Sequence, residues 1–413
     1  CEVRRTGGDT DARAYVDDLT GWNAGEDYVG AVGAMVECTE AFSGDTCLKM
    51  NDAKSRRFAT TPQARCDLRA SGGPPVTDCF KDLGVVQVAG ACPRPGGRLP
   101  REREALGRFG RIARVPLGFR ARARMTMVSG VTSGVFGAAA APVSCEEISR
   151  LQKGARVAML RGARFAAKEA PFCCLGLHWR VDPAAHALVG PWVAVAQALA
   201  SGRVDLQRLG AMWESGFATR VGPLAAAAVG IARVGVAGDY RRWEARGEVL
   251  DDPLSRPVAV WRGFLLRHHH LAQCACLGAR RQEFAGLGGG VDSWLMRWLE
   301  AKAGLTDAQQ GALRSLRIGD VVTQSRACKW VPGGGVCPFC RGARETPYHR
   351  LWACRCWSEV RMEALDGCSA AWVLDQAPEV LVRTGVPPVD AVLEQARVSA
   401  ESEPVGRWLG RLV

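Results

Sequence analysis

Lysine is scarce in this chain: seven of its 54 basic side chains are lysine and the rest are arginine. The formal net charge of +12 and a pI near 9.1 suit a polyanionic partner such as nucleic acid. Ala, Gly and Arg are abundant together, a bias that GC-rich coding produces by itself, so the charge supports that partner without establishing it. Long apolar runs are also missing. The most apolar stretch, Pro223 to Ala232, is followed at once by Arg233 and falls well short of the ~20 residues that cross a bilayer, so no membrane span is expected. No basic stretch followed by an apolar core and a small-residue cleavage site opens the sequence. Its 17 cysteines are therefore read as belonging to a reducing, intracellular compartment, not to a disulfide framework. No repeat of fixed period is present.

What is there is enough for real cores: 413 residues, 47% of them hydrophobic, suit two or three domains. The chain starts at Cys1, without an initiator methionine, and reaches its first motif within fifteen residues, as expected of a fragment or an N-terminally truncated product. That motif is AYVDDLT, residues 14 to 20. Tyr15 and Val16 favour a strand, Asp17 and Asp18 a turn, and Leu19 to Trp22 a returning strand, which puts the two carboxylates at a hairpin tip. Adjacent ionised carboxylates repel unless a cation lies between them, and two-metal phosphoryl or nucleotidyl transfer uses such a pair. The same letters also describe an ordinary acidic turn.

Downstream, Val29, Val32, Val36 and Phe42 recur at roughly helical spacing, predicting a helix over 26–43. Arg57 to Thr60 and Lys81 to Val88 read as strands, completing a small α+β unit that ends near Gly90, and GACPRPGGRLP reads as a loop. Helical signals then dominate. Helices are expected over Arg101 to Val115, Arg122 to Phe136, after the S-x-x-E box of Ser144 and Glu147, over Ala184 to Ala200, Val204 to Trp213 and Asp292 to Ala303, and after Thr306 with Gln309. The Gly- and Arg-rich stretch from Val234 to Arg246 and DDPLSRP at 251–257 suggest a boundary.

CPFCRGARETPYHRLWAC sets Cys337, Cys340, His349 and Cys354 at C-x2-C-x8-H-x4-C. A C-x2-C pair on a tight turn can aim two thiolates at one ion, and H-x4-C on a following turn can supply the other two corners of a zinc tetrahedron. Free buried cysteines are the alternative, and Cys328 and Cys356 compete as ligands. HHHLAQCAC, His268 to Cys276, lacks a paired knuckle and is expected to be a partly exposed helix with incidental histidines; Cys173 and Cys174 are expected in the core.

Taken in order, these motifs resemble the C-terminal half of reverse transcriptases of the non-LTR retrotransposon type. A-Y-V-D-D resembles the Y-x-D-D box, L-K-M-N-D-A-K-S the L-x-x-N-x-x-K-[ST] segment, F-K-D-L-G-V the K-x-L-G strand closing the palm, and C-P-F-C with E-T-P-Y-H-R-L-W-A-C the terminal zinc knuckle. Each box is weak alone, but four in the right order across most of the chain form a coherent pattern.

The resemblance implies an α+β fold: a partial palm (1–92), thumb-like helices (98–175), a helical connector (176–250), a helical segment (258–330), a zinc-knuckle-like module (331–368) and a tail (369–413). It implies RNA-templated DNA synthesis in which Asp17 and Asp18 hold Mg2+ or Mn2+. Tyr15 would lie near the primer terminus, Asn51 would shape the next loop, and Lys54 would face the leaving pyrophosphate, an exposed loop lysine being the alternative. Arg101, Arg103, Arg108, Arg111 and Arg114 would lie along the primer-template or else form a solvated face. The Zn2+ module would grip RNA or target DNA through Arg341, Arg344 and Arg350, with Trp352 either stacking on bases or serving as the knuckle's own core. The implied partners are RNA template, DNA primer and target DNA, in an intracellular, nuclear setting. The family's third carboxylate and fingers have no counterpart here, so the chain alone is not expected to polymerise. A non-catalytic nucleic-acid-binding protein is the alternative.

Overall fold

The computed structural model describes residues 10–15, 18–23, 26–46, 51, 55–59, 61–82, 85–88, 99–139, 142–161, 166–214, 222–302, 305–328, 334–365 and 370–389. These fall into two compact units, 1–100 and 101–413. Most of the described chain is helical and the sheets are small, so the class is α+β.

In the first unit, β1 (Thr10–Tyr15) and β2 (Asp18–Asn23) form an antiparallel hairpin in which Tyr15 faces Asp18. Helix α1 (Tyr28–Asp45) follows, its first turn capped by Asp27, whose carboxylate accepts from Gly30 N at 3.2 Å. Strand β3 (Arg57–Phe58) pairs in parallel with β4 (Val76–Thr77), and α2 (Pro62–Ala70) crosses between them. Thr61 caps α2 and Pro62 occupies its first turn, where a missing N–H costs nothing. Arg57 ties this crossover together, donating Nε to Pro74 O at 2.7 Å and Nη1 to Ser71 Oγ at 3.0 Å. Strands β5 (Cys79–Asp82) and β6 (Val85–Val88) make a second hairpin, so the single strand expected over 81–88 is two. Among the described residues these three strand pairs are not joined into one sheet.

The second unit begins with α3 (Leu99–Arg114), which buries Ala105, Phe109 and Ile112 at helical spacing. Helix α4 (Phe119–Met125) continues as a π-helical stretch (Thr126–Val131) and the short α5 (Thr132–Gly134). Helix α6 (Cys145–Leu160) starts where its sequence says, with Ser144 Oγ accepting from Glu147 N at 3.1 Å. Gly130 and Gly154 bracket the Phe109 ring: a Cβ at either would lie 2.2 or 2.6 Å from it, so glycine is what lets these helices close on the aromatic side chain.

Helices α7 (Ala170–Cys174), α8 (Pro183–Ala200), α9 (Leu206–Glu214) and α10 (Gly222–Arg233) lead to a three-stranded antiparallel sheet, β7 (Ala237–Gly238), β8 (Arg242–Ala245) and β9 (Glu248–Asp251). Helix α8 is long and apolar enough to cross a membrane by length and composition, but it packs along α10 with Trp192 buried. The 23-residue α11 (Val258–Arg280) comes next. The boundary expected over 234–257 is not there. Val236, Tyr240, Trp243 and Ala245 share one core with Trp192 on one side in sequence and Trp261 and Phe264 on the other. The signal misled because Gly and Arg here serve the tight turns and exposed edge of a meander, whose alternate residues point inward. The remaining helices are α12 (Ser293–Lys302), α13 (Asp307–Arg317, with the Thr306–Gln309 capping box present), α14 (Gln324–Ala327), α15 (Ser358–Ala364), α16 (Ala370–Gln376) and α17 (Glu379–Thr384).

Candidate metal centre

Gly334 and Gly335 both adopt positive φ, steering the chain into a narrow hairpin closed by the Val336–Arg344 bridge. Cys337 N donates to Ala343 O at 2.8 Å, Arg341 N donates to Cys337 O at 3.0 Å, and Arg341 is left-handed at φ 53°. This is the tight turn that C-x2-C needs, and it places Cys337 and Cys340 side by side. The second half is a single π turn, His349–Ala353. Thr346 Oγ1 accepts from His349 N at 3.0 Å and His349 O accepts from Cys354 N at 2.7 Å, which aims the imidazole and the last thiol back at the knuckle.

The ligand atoms of Cys337, Cys340, His349 and Cys354 all lie within 4.8 Å of one another. Cys337 Sγ is 3.9 Å from Cys354 Sγ, and Cys340 Sγ is 3.4 Å from His349 Nε2. An ion bound tetrahedrally at about 2.3 Å to sulfur and about 2.0 Å to nitrogen sets its ligands roughly 3.5–3.8 Å apart, so these edges fit zinc. The competition for the fourth position is resolved by burial: Cys354 is fully buried in the set while Cys356 is exposed and Cys328 lies outside it.

Burial pushes the Cys337 thiol up, but backbone N–H groups of Cys340 and Phe339 and the His349 side chain more than offset it, and its pKa falls below the ordinary thiol value. The Gly342 N–H lowers Cys340 in the same direction. Cys354 has too little of this help, and burial holds it up at about 11. Cys337 and Cys340 are thus shifted toward easier deprotonation, while Cys354 is the thiol whose proton an arriving cation must displace against burial.

The module is fastened to its surroundings by a buried carboxylate. Glu345 accepts from Gln324 N at 2.6 Å and pairs with Arg350 Nη2 at 2.9 Å, while Arg350 Nη1 donates to Val322 O at 3.2 Å. Trp352 Nε1–H donates to Val382 O at 2.8 Å, tying the π turn to α17. Of the two roles open to Trp352, the anchoring one is what its contacts describe. Arg350 is likewise held by Glu345, leaving Arg341 and Arg344 as the exposed basic residues. An exposed aromatic that the sequence did not single out is Phe339, 46% exposed and edge-on to Trp357 at 4.9 Å. Its place inside C-P-F-C was the available signal.

The other expected site residues are less assembled. Asp17 and Lys54 lie outside the described residues. Tyr15 and Asp18 close the first hairpin as a facing pair, and Asn51 is exposed, its carbonyl accepting from Ser55 N at 3.0 Å. Among the described residues the Cys/His set is the one group of side chains placed to share an ion, and nothing there supports a Mg2+ or Mn2+ site. On α3, Arg108 pairs with Glu104 at 2.6 Å and Arg101 lies over the Phe136 ring at 4.0 Å, while Arg103, Arg111 and Arg114 are exposed.

The histidines of HHHLAQCAC are not incidental. His268 is buried against Phe264, His269 Nε2 is 2.8 Å from Asp182 Oδ2, and His270 Nε2 accepts from Val291 N at 3.2 Å beside Cys274. They bind α11 to its neighbours, which periodicity could not reveal because the partners are remote in sequence. Cys173 and Cys174 are buried in the same core as Cys274. Compared with protein-family models, curated proteins and solved structures, the chain matches none.

Proposed function

We propose that this chain is the nucleic-acid-gripping C-terminal part of a reverse transcriptase of the non-LTR retrotransposon type, with residues 334–357 as its zinc-organised contact module. The observation that carries the reading is the convergence of the ligand atoms of Cys337, Cys340, His349 and Cys354 to within 4.8 Å of one another. A zinc ion there supplies folding energy and a rigid turn, with no part in bond making. The turn presents Phe339 with Arg341 and Arg344, an aromatic face beside two guanidinium groups, which is the chemistry that stacks a base and neutralises phosphates. The chain's +12 charge agrees.

In this reading Asp17 and Asp18 contribute to a two-metal polymerase centre holding Mg2+ or Mn2+, with Lys54 facing pyrophosphate and a third carboxylate and fingers supplied from outside these 413 residues. Support for that part is the order of the sequence motifs. A second reading, a binding protein without polymerase chemistry, is favoured by the Cys/His set being, among the described residues, the one group of side chains placed to share an ion.

Zinc content and affinity for single-stranded RNA and DNA, measured on the chain and on C337S/C340S, test the module. Loss of metal together with a tenfold or greater loss of affinity is expected, and retention of both refutes it. Primer extension by the chain complemented with fingers and an upstream palm, with and without D17A, separates the two readings: the polymerase reading requires extension that D17A abolishes.

A further inference from the structure

The His268 side chain is 1% exposed, and neither of its ring nitrogens has a hydrogen-bond partner. The imidazole packs on the Phe264 ring, 4.4 Å between centroids, where β9 meets α11. Glu248 Oε2, on β9, is 3.6 Å from His268 Nε2, too far for a hydrogen bond, and the same oxygen pairs with Arg267 Nη2 at 3.1 Å. The turn between β8 and β9 is fastened by Arg246 Nη1, which donates to Gly288 O at 3.1 Å.

A neutral imidazole fits such a place far better than an imidazolium, which carries a second N–H donor and a charge into a core that answers neither. The charged groups that act on His268 are Glu248 from β9, Arg246 from the turn and Arg267 from its own helix. Two cations thus stand against one partly exposed carboxylate that Arg267 already holds. The other stretches packed on α11 bring no further carboxylate to bear. Helix α8 has no acid, and its His186 is bound to Arg180 O at 3.0 Å; α7 has only the thiols of Cys173 and Cys174. Pro253–Ser255 and Leu287–Gly289 carry no titratable side chain, and Glu283 of Gln282–Phe284 pairs with Arg281 and Arg326. Burial pushes the His268 pKa below the ordinary imidazole value, Arg267 and Arg246 add to that, and Glu248 restores only part of it.

We propose that His268 is a pH-sensitive latch: neutral, it lets the meander of β7, β8 and β9 close on α11, and protonated under mildly acidic conditions it forces the meander to open. Opening brings the imidazolium to water and parts the inward residues of β8, Trp243 and Ala245, from Trp261 and Phe264. A folded pKa below the unfolded value of about 6.5 gives closure its full stability above that pH, and the stability is lost as pH falls below it. The latch uses no residue of α3 or of the zinc module, so it stands or falls independently of the function proposed above.

Hydrogen exchange of residues 242–251, in the full chain with zinc in excess, reads the opening at pH 7.5 and pH 5.5. Rates are corrected for the intrinsic pH dependence and referenced to the core around Phe109 and Leu151. The opening equilibrium is expected to rise several-fold in the wild type, with a ceiling of about tenfold for one proton on a group of unfolded pKa about 6.5, and not to rise in H268F. No rise in the wild type, or an equal rise in a folded H268F, overturns the proposal. Should H268F not fold by circular dichroism, the wild-type imidazole decides. Its Cε1–H resonance, recognised by its contact with the Phe264 ring, must titrate below pH 6.5 over the range in which residues 242–251 open, and titration at pH 6.5 or above overturns the latch.

Discussion

His269 Nε2 lies 2.8 Å from the buried Oδ2 of Asp182, joining the middle of α11 to the first residue before α8. The same carboxylate accepts from Gln152 at 2.9 Å, Gln273 at 2.7 Å and Ala184 N at 3.0 Å, so one side chain caps α8 and binds three helices. Burial raises its pKa, but His269, Gln152 and the Ala184 N–H outweigh that and hold it below the ordinary carboxylate value. A depressed folded pKa means stability that is present above about pH 4, the unfolded value, and disappears as pH falls through the folded one. D182A is expected to destabilise the second unit by about 3 kcal/mol at pH 7, because it strands several buried donors. Urea titrations at pH 7 and at pH 3 read both effects, and the wild-type advantage over D182A must shrink at the lower pH.

One zinc ion per chain is expected by metal analysis, removable by chelators. C354S should lose it while C356S keeps it, since Cys354 is buried within the ligand set and Cys356 is exposed outside it. Because the Cys354 thiol stands at about 11 without metal, loading near neutral pH releases its proton. Zinc affinity, measured by competition with a chelator, should therefore fall between pH 8 and pH 6.

E345Q removes the charge that receives Arg350 and weakens the hold on Gln324 N. A cost of about 1–2 kcal/mol to the folding of the module is expected, because the carboxylate is buried while the Arg350 partner is partly screened by solvent. The readout is faster zinc loss to chelator, with α-helical circular dichroism nearly unchanged because the fold around Trp192 and Trp261 shares no residue with this clamp.

F339A should leave zinc content intact and weaken single-stranded nucleic-acid binding by ~1–3 kcal/mol, the range for one stacked base. R341A/R344A should instead flatten the salt dependence, lowering the slope of log K against log salt by about 1.4 for two phosphate contacts on a single strand. Filter binding across a salt series distinguishes the two. An F339A protein that binds as tightly as wild type removes Phe339 from the interface.

The legible parts of this molecule were those whose cause lies within a turn or two of chain. The C-x2-C-x8-H-x4-C spacing, the Ser144 cap and the Thr306–Gln309 box are short rings of covalent chain closed by one or two hydrogen bonds, so residue order alone specifies them. The α1, α6 and α13 helices follow from the same local rules. The α2 crossover escaped, as its nine residues expose most of a polar surface and leave little periodicity to read.

The roles that residue order did not reveal depend on partners far apart in sequence. Periodicity places His268, His269 and His270 on a helix, but their roles are set by Glu248, Asp182 and Val291, which packing brings to them. The stretch from Val234 to Arg246 looked like a linker until its inward residues met Trp192 and Trp261. Arg122 and Arg314 come to line one cavity only once α4 and α13 are brought to it by the fold. Residue order alone yields a zinc-competent knuckle, because four ligands on one short segment need no distant help; packing selects which cysteine completes it and what anchors it, because burial is a property of the packed chain.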